Sequence, residues 1–329
     1  MKIEENVPFS TITTFKVGGV ARYLITLESL DDLPEAVAFA KRTSLPLVPI
    51  GGGSNILGPD GVLDAVLVRV QDDTRVFADE TVTVGAGASW DRVVREAVEH
   101  GLWGIENLSA IPGTMGGAVV QNIGAYGAVL SDVIESVRVF DTHQGMVREV
   151  LKSQSAFGYR TSIYKSERDR FIILSATLKL SFAPKPNLGY ADLKSLDASS
   201  PVNKIRDAVL HVRAQKFPDL SEFGTAGSFF LNPIVDADTA RALQSRFPNM
   251  PVFDLPEGGI KIPLGWFFEH VLQLKGVRSG AVEAWRAQAL VIAAHPGATS
   301  EEIKNFVAHV TDRAKKELQI DIVPEVRVL

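Results

Sequence analysis

The stretch ENLSAIPGTMGGAVVQNIGAYG, residues 106–127, holds five glycines among Ser109, Thr114, Gln121 and Asn122. A connection of this length without helix or strand periodicity is uncommon inside a compact domain, and it is then either functional or disordered. Interspersed Leu, Ile, Val and Met argue against disorder. The stretch therefore reads as backbone wrapped around a large ligand with polar and apolar parts, and a flavin dinucleotide has both. A second glycine loop, GGGSN at 51–55, follows the apolar run LPLVPI. Three glycines let backbone N–H groups come close to a ligand, and Ser54 and Asn55 add donors, which suits a pyrophosphate. The five residues alone read more readily as an ordinary tight turn.

The chain has 329 residues, enough for two or three domains. Hydrophobic residues make up 46% and charged residues 22%, as in ordinary globular enzymes. A net charge of −5 gives no general attraction to nucleic acid. The absence of cysteine excludes disulfides, thiolate catalysis and thiolate-held iron–sulfur clusters. MKIEENVPFS has no apolar signal core, and ALVIAA is far too short to span a bilayer, so a cytoplasmic protein without membrane insertion is expected. No P-loop or HExxH occurs, and the six histidines never pair at ligand spacing, so no metal site is expected. GAGASW begins like a dinucleotide fingerprint but lacks the third glycine.

Helices are predicted at ESLDDLPEAVAFAKRTSLP, capped by Ser29, and at SWDRVVREAVEHG, from a Ser89 cap to a Gly101 stop. TSEEIKNFVAHVTDRAKKELQ carries a Thr299/Glu302 capping box. PVNKIRDAVLHVRAQKF, ADTARALQSRF and GWFFEHVLQL also read as helical. DAVLVRV, ETVTVGAG, SVRVFDT, FIILSATLKLSF and the terminal DIVPEVRVL read as strands. Residues 104–131 form the long glycine-rich connection. Strands and helices mix without regular alternation, which favours an α+β fold.

Taken together, GGGSN and IPGTMGGAVVQNIGAYG resemble the flavin-binding domain of the UDP-N-acetylenolpyruvoylglucosamine reductase (MurB) family. TTFKVGG, GGGSNIL, ENLSAIPG, QNIGAYG, FGYRTSIYK, AGSFFLNP, GWFFE and PEVRV follow in that family's order nearly end to end. The resemblance implies an FAD-binding fold of the vanillyl-alcohol oxidase / p-cresol methylhydroxylase type followed by an α+β substrate domain. Three parts are expected: residues 1–70 with the C-terminal strand 319–329, residues 71–217, and the substrate domain 218–318. FAD, held non-covalently, is implied to contact Gly51, Gly52, Gly53, Ser54, Asn55, Ser109, Ile111, Pro112, Gly113, Thr114, Gly117, Ala118, Gln121, Asn122, Gly124, Tyr159, Arg213 and Arg327.

Three catalytic residues follow from the same resemblance. Arg160 in FGYRTSIYK would stabilise a developing enolate, a task for a permanently charged planar fork, although a lone loop arginine is ordinarily a solvated charge. Ser228 in GTAGSFFLNP would protonate the substrate carbanion. Without that context it would be a turn serine, and as a weak acid it would need to be held in line and shielded, with Phe229 and Phe230 expected to exclude water. Glu325, near the chain end, would assist the enolate beside Arg160, which requires the last strand to fold back onto the N-terminal region. Tyr190 in NLGYADLKSL is implied to lie on a loop that closes over the nucleotide sugar, a mark of one of two subclasses. Tyr126, Lys216, Asn232, Lys275 and Gln288 match substrate-contacting positions, where cations suit a diphosphate and amides suit uracil or sugar groups. Leu231 departs from the family's usual lysine.

The implied reaction reduces UDP-N-acetylglucosamine enolpyruvate to UDP-N-acetylmuramate for peptidoglycan. NADPH gives a hydride to FAD, the hydride passes from flavin N5 to the enolpyruvyl C3, and Ser228 protonates C2. Alternation of the two substrates in one cleft implies ping-pong kinetics, in a monomer. Another FAD-dependent oxidase of the same fold and a non-catalytic flavin-binding module are the alternatives.

Overall fold

The computed structural model describes residues 1–168, 170–255 and 258–329. The chain divides into two compact units. The first comprises Met1–Val7, Ala21–Gly53 and Asp64–Ala214; the second comprises Pro8–Val20, Ser54–Leu63 and Gln215–Leu329.

The first unit holds two sheets. One has four strands in the order Lys2–Pro8, Val20–Leu27, Val62–Val70 and Leu47–Pro49, the last two parallel. The other has five, in the order Met146–Leu151, Ile134–Asp141, Phe171–Lys179, Thr81–Gly85 and Arg75–Ala78, all antiparallel. FIILSATLK is the centre of this second sheet and is apolar almost throughout because both of its faces are covered. Ile172 and Leu174 pack with Ile25, Leu27, Val66, Val68 and the helix Leu33–Thr43. Ile173, Ala176 and Leu178 pack with Trp90, Val93, Val94 and Ala97 of the helix Trp90–Glu99. This helix begins after Ser89 as expected, but the Ser89 side chain makes no cap bond. The Ser29 cap does form, with one difference. It opens a single 3₁₀ turn, Leu30–Asp32, before the α-helix begins.

The glycine-rich connection departs further from expectation. Residues 104–131 are not structureless: they contain a helix, Met115–Gln121, and a short hairpin of Gly124–Ala125 with Ala128–Val129. A helix with two glycines in seven residues is weak by propensity. It forms because its first amides have partners outside the helix: Met115 N donates to Ala88 O at 2.9 Å and Gly116 N to Ala86 O at 2.9 Å.

The second unit is built on a sheet ordered Gly224–Ser228, Val291–Ala294, Val282–Ala284 and Arg278–Ser279. One face packs on Phe267, Phe268, Ile303, Phe306 and Val310 of the helices Leu264–His270 and Ser300–Leu318. The other carries Trp285, Val291 and Ala293 under Phe217 and Phe223. The capping box of the long helix forms as predicted, with Glu302 N donating to Thr299 Oγ1 at 3.1 Å and Thr299 N to Glu302 Oε2 at 2.9 Å. The C-terminal strand is shorter than DIVPEVRVL suggests. Only Arg327–Val328 is strand, and it pairs in parallel with Ile56–Leu57, so the chain end does fold back onto a segment near residue 55.

Candidate functional site

In the first unit the two glycine loops lie against each other. A Cβ on Gly51 would stand 2.6 Å from Thr114 Oγ1, and one on Gly52 would stand 2.9 Å from Gly113 Cα, distances no side chain tolerates. Gly53 adopts a φ of 65°. Gly117 lies open on the next turn, where a Cβ would be 3.8 Å from Thr114 Oγ1, and Ala118 is buried. Thr114 Oγ1 is itself buried and has no hydrogen-bond partner among the described residues. A buried hydroxyl without a partner is costly unless a ligand completes it. Backbone crowding that only glycine allows, beside a waiting hydroxyl, fits a phosphate-bearing dinucleotide such as FAD.

The loop between Leu108 and Thr114 is tied down from several sides. Trp90 Nε1 donates to Leu108 O at 2.9 Å and Trp90 N to Gly113 O at 3.1 Å. Ala110, at φ 57°, donates its N–H to Asp91 Oδ1 at 2.5 Å, and its carbonyl accepts from Arg213 Nε at 3.2 Å. Arg206 grips the same Asp91 with both terminal nitrogens, at 2.8 and 2.9 Å. Burial pushes the Asp91 carboxyl up, but the bonds from Arg206 and the Ala110 amide outweigh it and hold it below the ordinary range. Ser109, by contrast, turns its hydroxyl to Glu106 O at 2.6 Å, while Ile111 packs partly against the core and Pro112 is exposed.

Further along, Asn122 caps the short helix at φ 41°. Its amide donates to Gly158 O at 2.9 Å and its oxygen accepts from Ser131 N at 2.9 Å. Asn122 thus fixes the turn that carries Tyr159 and Arg160. Arg160 has a φ of 53°, uncommon for a non-glycine residue, and its guanidinium donates to Gly124 O. Lys165 Nζ spans Arg160 O at 2.9 Å and Gln121 Oε1 at 2.8 Å. Strain at a charged residue held by several partners is a common mark of a functional position. Tyr126 is buried at φ 49° and meets Tyr190 edge-on, with ring centroids 5.1 Å apart. Burial raises the Tyr126 phenol above its ordinary value against the pull of Arg213. Burial likewise lowers Arg213, opposed by the Tyr126 bond.

In the second unit Ser228 ends the strand Gly224–Ser228, half-buried, and its hydroxyl makes no hydrogen bond with any described residue. The ladder slips between Thr225 and Ser228, and Gly227 has a φ of 78° with nothing within 4 Å of a would-be Cβ. The glycine is therefore there for its backbone angle, not for space. Glu325 lies on the segment alongside: its N–H donates to Phe229 O at 2.8 Å, and Phe230 bridges Pro324. Asn55 Nδ2 donates to Glu325 O at 3.1 Å and Arg327 N to Asn55 O at 3.0 Å, so the end of the GGGSN loop and the catalytic candidate are joined directly. Ser54 precedes this clasp.

Phe229 and Phe230 do not wall this position. Each is only 2% exposed and packs with Phe15 and Phe268 in the unit's main core, so the expected water-excluding role is corrected to a foundation beneath Ser228. Asn232 Oδ1 accepts from Leu264 N at 2.9 Å, and Gln288 Oε1 lies near Leu290 N and Gly265. Lys275 pairs with Glu269 at 2.6 Å, and Lys216 is the last residue of the helix Val202–Lys216. Asp91, Arg206 and Lys165 escaped the sequence reading. They sit in helices whose charged faces look solvated, and their partners lie 115, 115 and 44 residues away.

Two cradling glycine loops, an orphaned hydroxyl beside them and an α+β architecture define a flavin-dinucleotide-binding protein. Residues 21–151 match a family described as an FAD binding domain. Residues 219–329 match the C-terminal domain of UDP-N-acetylenolpyruvoylglucosamine reductase. The chain is 35% identical to the reductase of that name from Pseudomonas aeruginosa over 99% of its own length and 98% of the relative's. It is also 35% identical to the one from Escherichia coli O157:H7, over 96% and 94%. The crystal structure of the Thermus caldophilus reductase aligns with a TM-score of 0.72 and 25% identity, covering 100% of this chain and 99% of that one. The chain belongs to the UDP-N-acetylenolpyruvoylglucosamine reductase family, with FAD as its cofactor.

Proposed function

We propose that the protein reduces UDP-N-acetylglucosamine enolpyruvate to UDP-N-acetylmuramate with NADPH; its relatives are named as reductases of UDP-N-acetylenolpyruvoylglucosamine. The near full-length match to those reductases carries the reading. The backbone of residues 51–53 and 113–117, with Thr114, would hold the dinucleotide, and Asn55, Tyr159, Arg213 and Arg327 belong to the same proposed set. When bound, FAD would supply the two-electron chemistry of hydride transfer between NADPH and the enolpyruvyl C3.

The remaining work falls to side chains. Arg160 presents a fixed positive charge to the carboxylate and enolate oxygens that gain charge as C3 is reduced. Glu325 acts on the same enolate. Ser228 donates its Oγ proton to C2, from a half-buried hydroxyl that bonds to none of the described residues. Tyr126, Tyr190, Lys216, Asn232, Lys275 and Gln288 bind the nucleotide sugar in this reading, and membership of the subclass with a closing tyrosine loop belongs to the same proposal. The division into residues 1–70 with 319–329, 71–217 and 218–318 is part of the same proposal, and the two compact units cut the chain differently, grouping 8–20 and 54–63 with 215–329. A cytoplasmic monomer belongs to the same proposal; the net charge of −5 gives no general attraction to nucleic acid, and no helix among the described residues is long and apolar enough to cross a membrane.

The test is steady-state NADPH oxidation at varied concentrations of both substrates, with product mass. Parallel double-reciprocal lines and a product heavier than substrate by two hydrogens support the reading. NADPH oxidation that ignores the nucleotide sugar overturns it.

A further inference from the structure

The side chain of Asn107 lies only 1% exposed beneath the glycine-rich connection, and no part of the proposed chemistry uses it. Its Nδ2 donates twice, to Tyr126 O at 2.7 Å and to Asn187 O at 2.8 Å. The Asn187 side chain closes the ring by donating to Gly127 O at 2.9 Å. Three residues beyond Asn187 stands Tyr190, whose ring meets Tyr126 edge-on. Tyr126 and Gly127 both have positive φ, 49° and 84°, so this turn needs outside bonds to hold its shape. Apolar support comes from Leu188, Leu193 and Val209 around Tyr126. The segment itself offers little: residues 183–187 read APKPN, with no helix or strand, and Tyr190 is 46% exposed.

From this we infer that Asn107 is a positioning residue: its one amide clamps the carbonyls of Tyr126 and Asn187 and so seats the Tyr190 loop against Tyr126 in a substrate-ready arrangement. A buried amide with both protons engaged is costly to lose, because the two carbonyls are then left unsatisfied. An aspartate would offer no donor, and a leucine of similar size would offer none either. The inference rests on the reading that Tyr190 faces the nucleotide sugar.

The experiment compares Asn107→Leu, Asn187→Ala and Tyr190→Ala in the FAD-loaded enzyme, measuring KM for UDP-N-acetylglucosamine enolpyruvate, the rate of flavin bleaching by NADPH, and trypsin cleavage after the exposed Lys194. Loss of the clamp should raise KM about tenfold in Asn107→Leu and at least about threefold in Asn187→Ala, which loses one bond instead of two. Both should be cut faster at Lys194, with flavin bleaching unchanged. A general loss of folding would slow bleaching as well. If Tyr190→Ala raises KM while Asn187→Ala and a folded Asn107→Leu leave both KM and cleavage unchanged, the clamp is wrong and the loop reading stands. If Tyr190→Ala also leaves KM unchanged, both are wrong. Should Asn107→Leu fail to fold, Asn107→Ala, which also loses both donated bonds, decides by the same readouts.

Discussion

Ser228 follows a glycine at φ 78° and ends a strand whose next two residues are buried in the core. That arrangement leaves Ser228 half-buried and paired with Val291, ahead of two core phenylalanines. Ser228→Ala should lower kcat by about 10²–10⁴-fold, with KM little changed and NADPH-driven flavin bleaching at the parental rate. Stopped-flow absorbance separates the two half-reactions. Gly51 makes a different demand. A methyl group there would collide with Thr114 Oγ1. Gly51→Ala should weaken FAD retention by about tenfold or more, read as flavin bound per chain after gel filtration. Both glycines are visible in the sequence, but their reasons are not. One needs a backbone angle and the other a close approach, and only coordinates tell these apart. The role proposed for Ser228 rests on the family resemblance alone, since glycine–serine before phenylalanine is also what an ordinary turn looks like.

Among the elements, the long C-terminal helix shows what local sequence can and cannot reveal. Its Thr299/Glu302 capping box is written in four adjacent residues and was legible. Its second cap was not: Asp60, 240 residues earlier in the chain, accepts Ser300 N at 2.7 Å and Glu301 N at 2.8 Å. Asp60→Ala should cost about 1 kcal/mol, measured by urea unfolding. The helix Met115–Gln121 was missed for the same reason, since the carbonyls that nucleate it belong to Ala86 and Ala88.

The five-stranded sheet of the first unit carries a buried carboxylate, Asp141, whose side chain is 0% exposed. Burial raises its pKa, but the bonds from Arg170 and the amides of Gln144 and His143 outweigh burial and leave it below the ordinary value. A carboxyl lowered on folding adds stability above its unfolded pKa, and that stability is lost as pH falls through the folded value. Unfolding midpoints should therefore drop below about pH 4. In Asp141→Asn this acid-dependent loss should be smaller, at a cost of about 2 kcal/mol near neutrality because Arg148 and Arg170 lose their partner while keeping some solvent.

Across the whole molecule, the order of motifs told more than any of them singly. GGGSN, the 106–127 connection, FGYRTSIYK, AGSFFLNP and PEVRV are scattered over most of the chain. Yet the chain end pairs with Ile56–Leu57, and Asn55 bonds to Glu325 O. The sequence allowed that return to be expected from the place of Glu325. It could not show that the strand would shrink to two residues, because the register is set by the partner at 56–57. The central claim is that one FAD serves two substrates in turn. It is tested most directly by an anaerobic absorbance titration of the purified flavoprotein, with NADPH added first and UDP-N-acetylglucosamine enolpyruvate second. Bleaching of the flavin band followed by its full return is the predicted result. Bleaching without return on addition of the nucleotide sugar would contradict it.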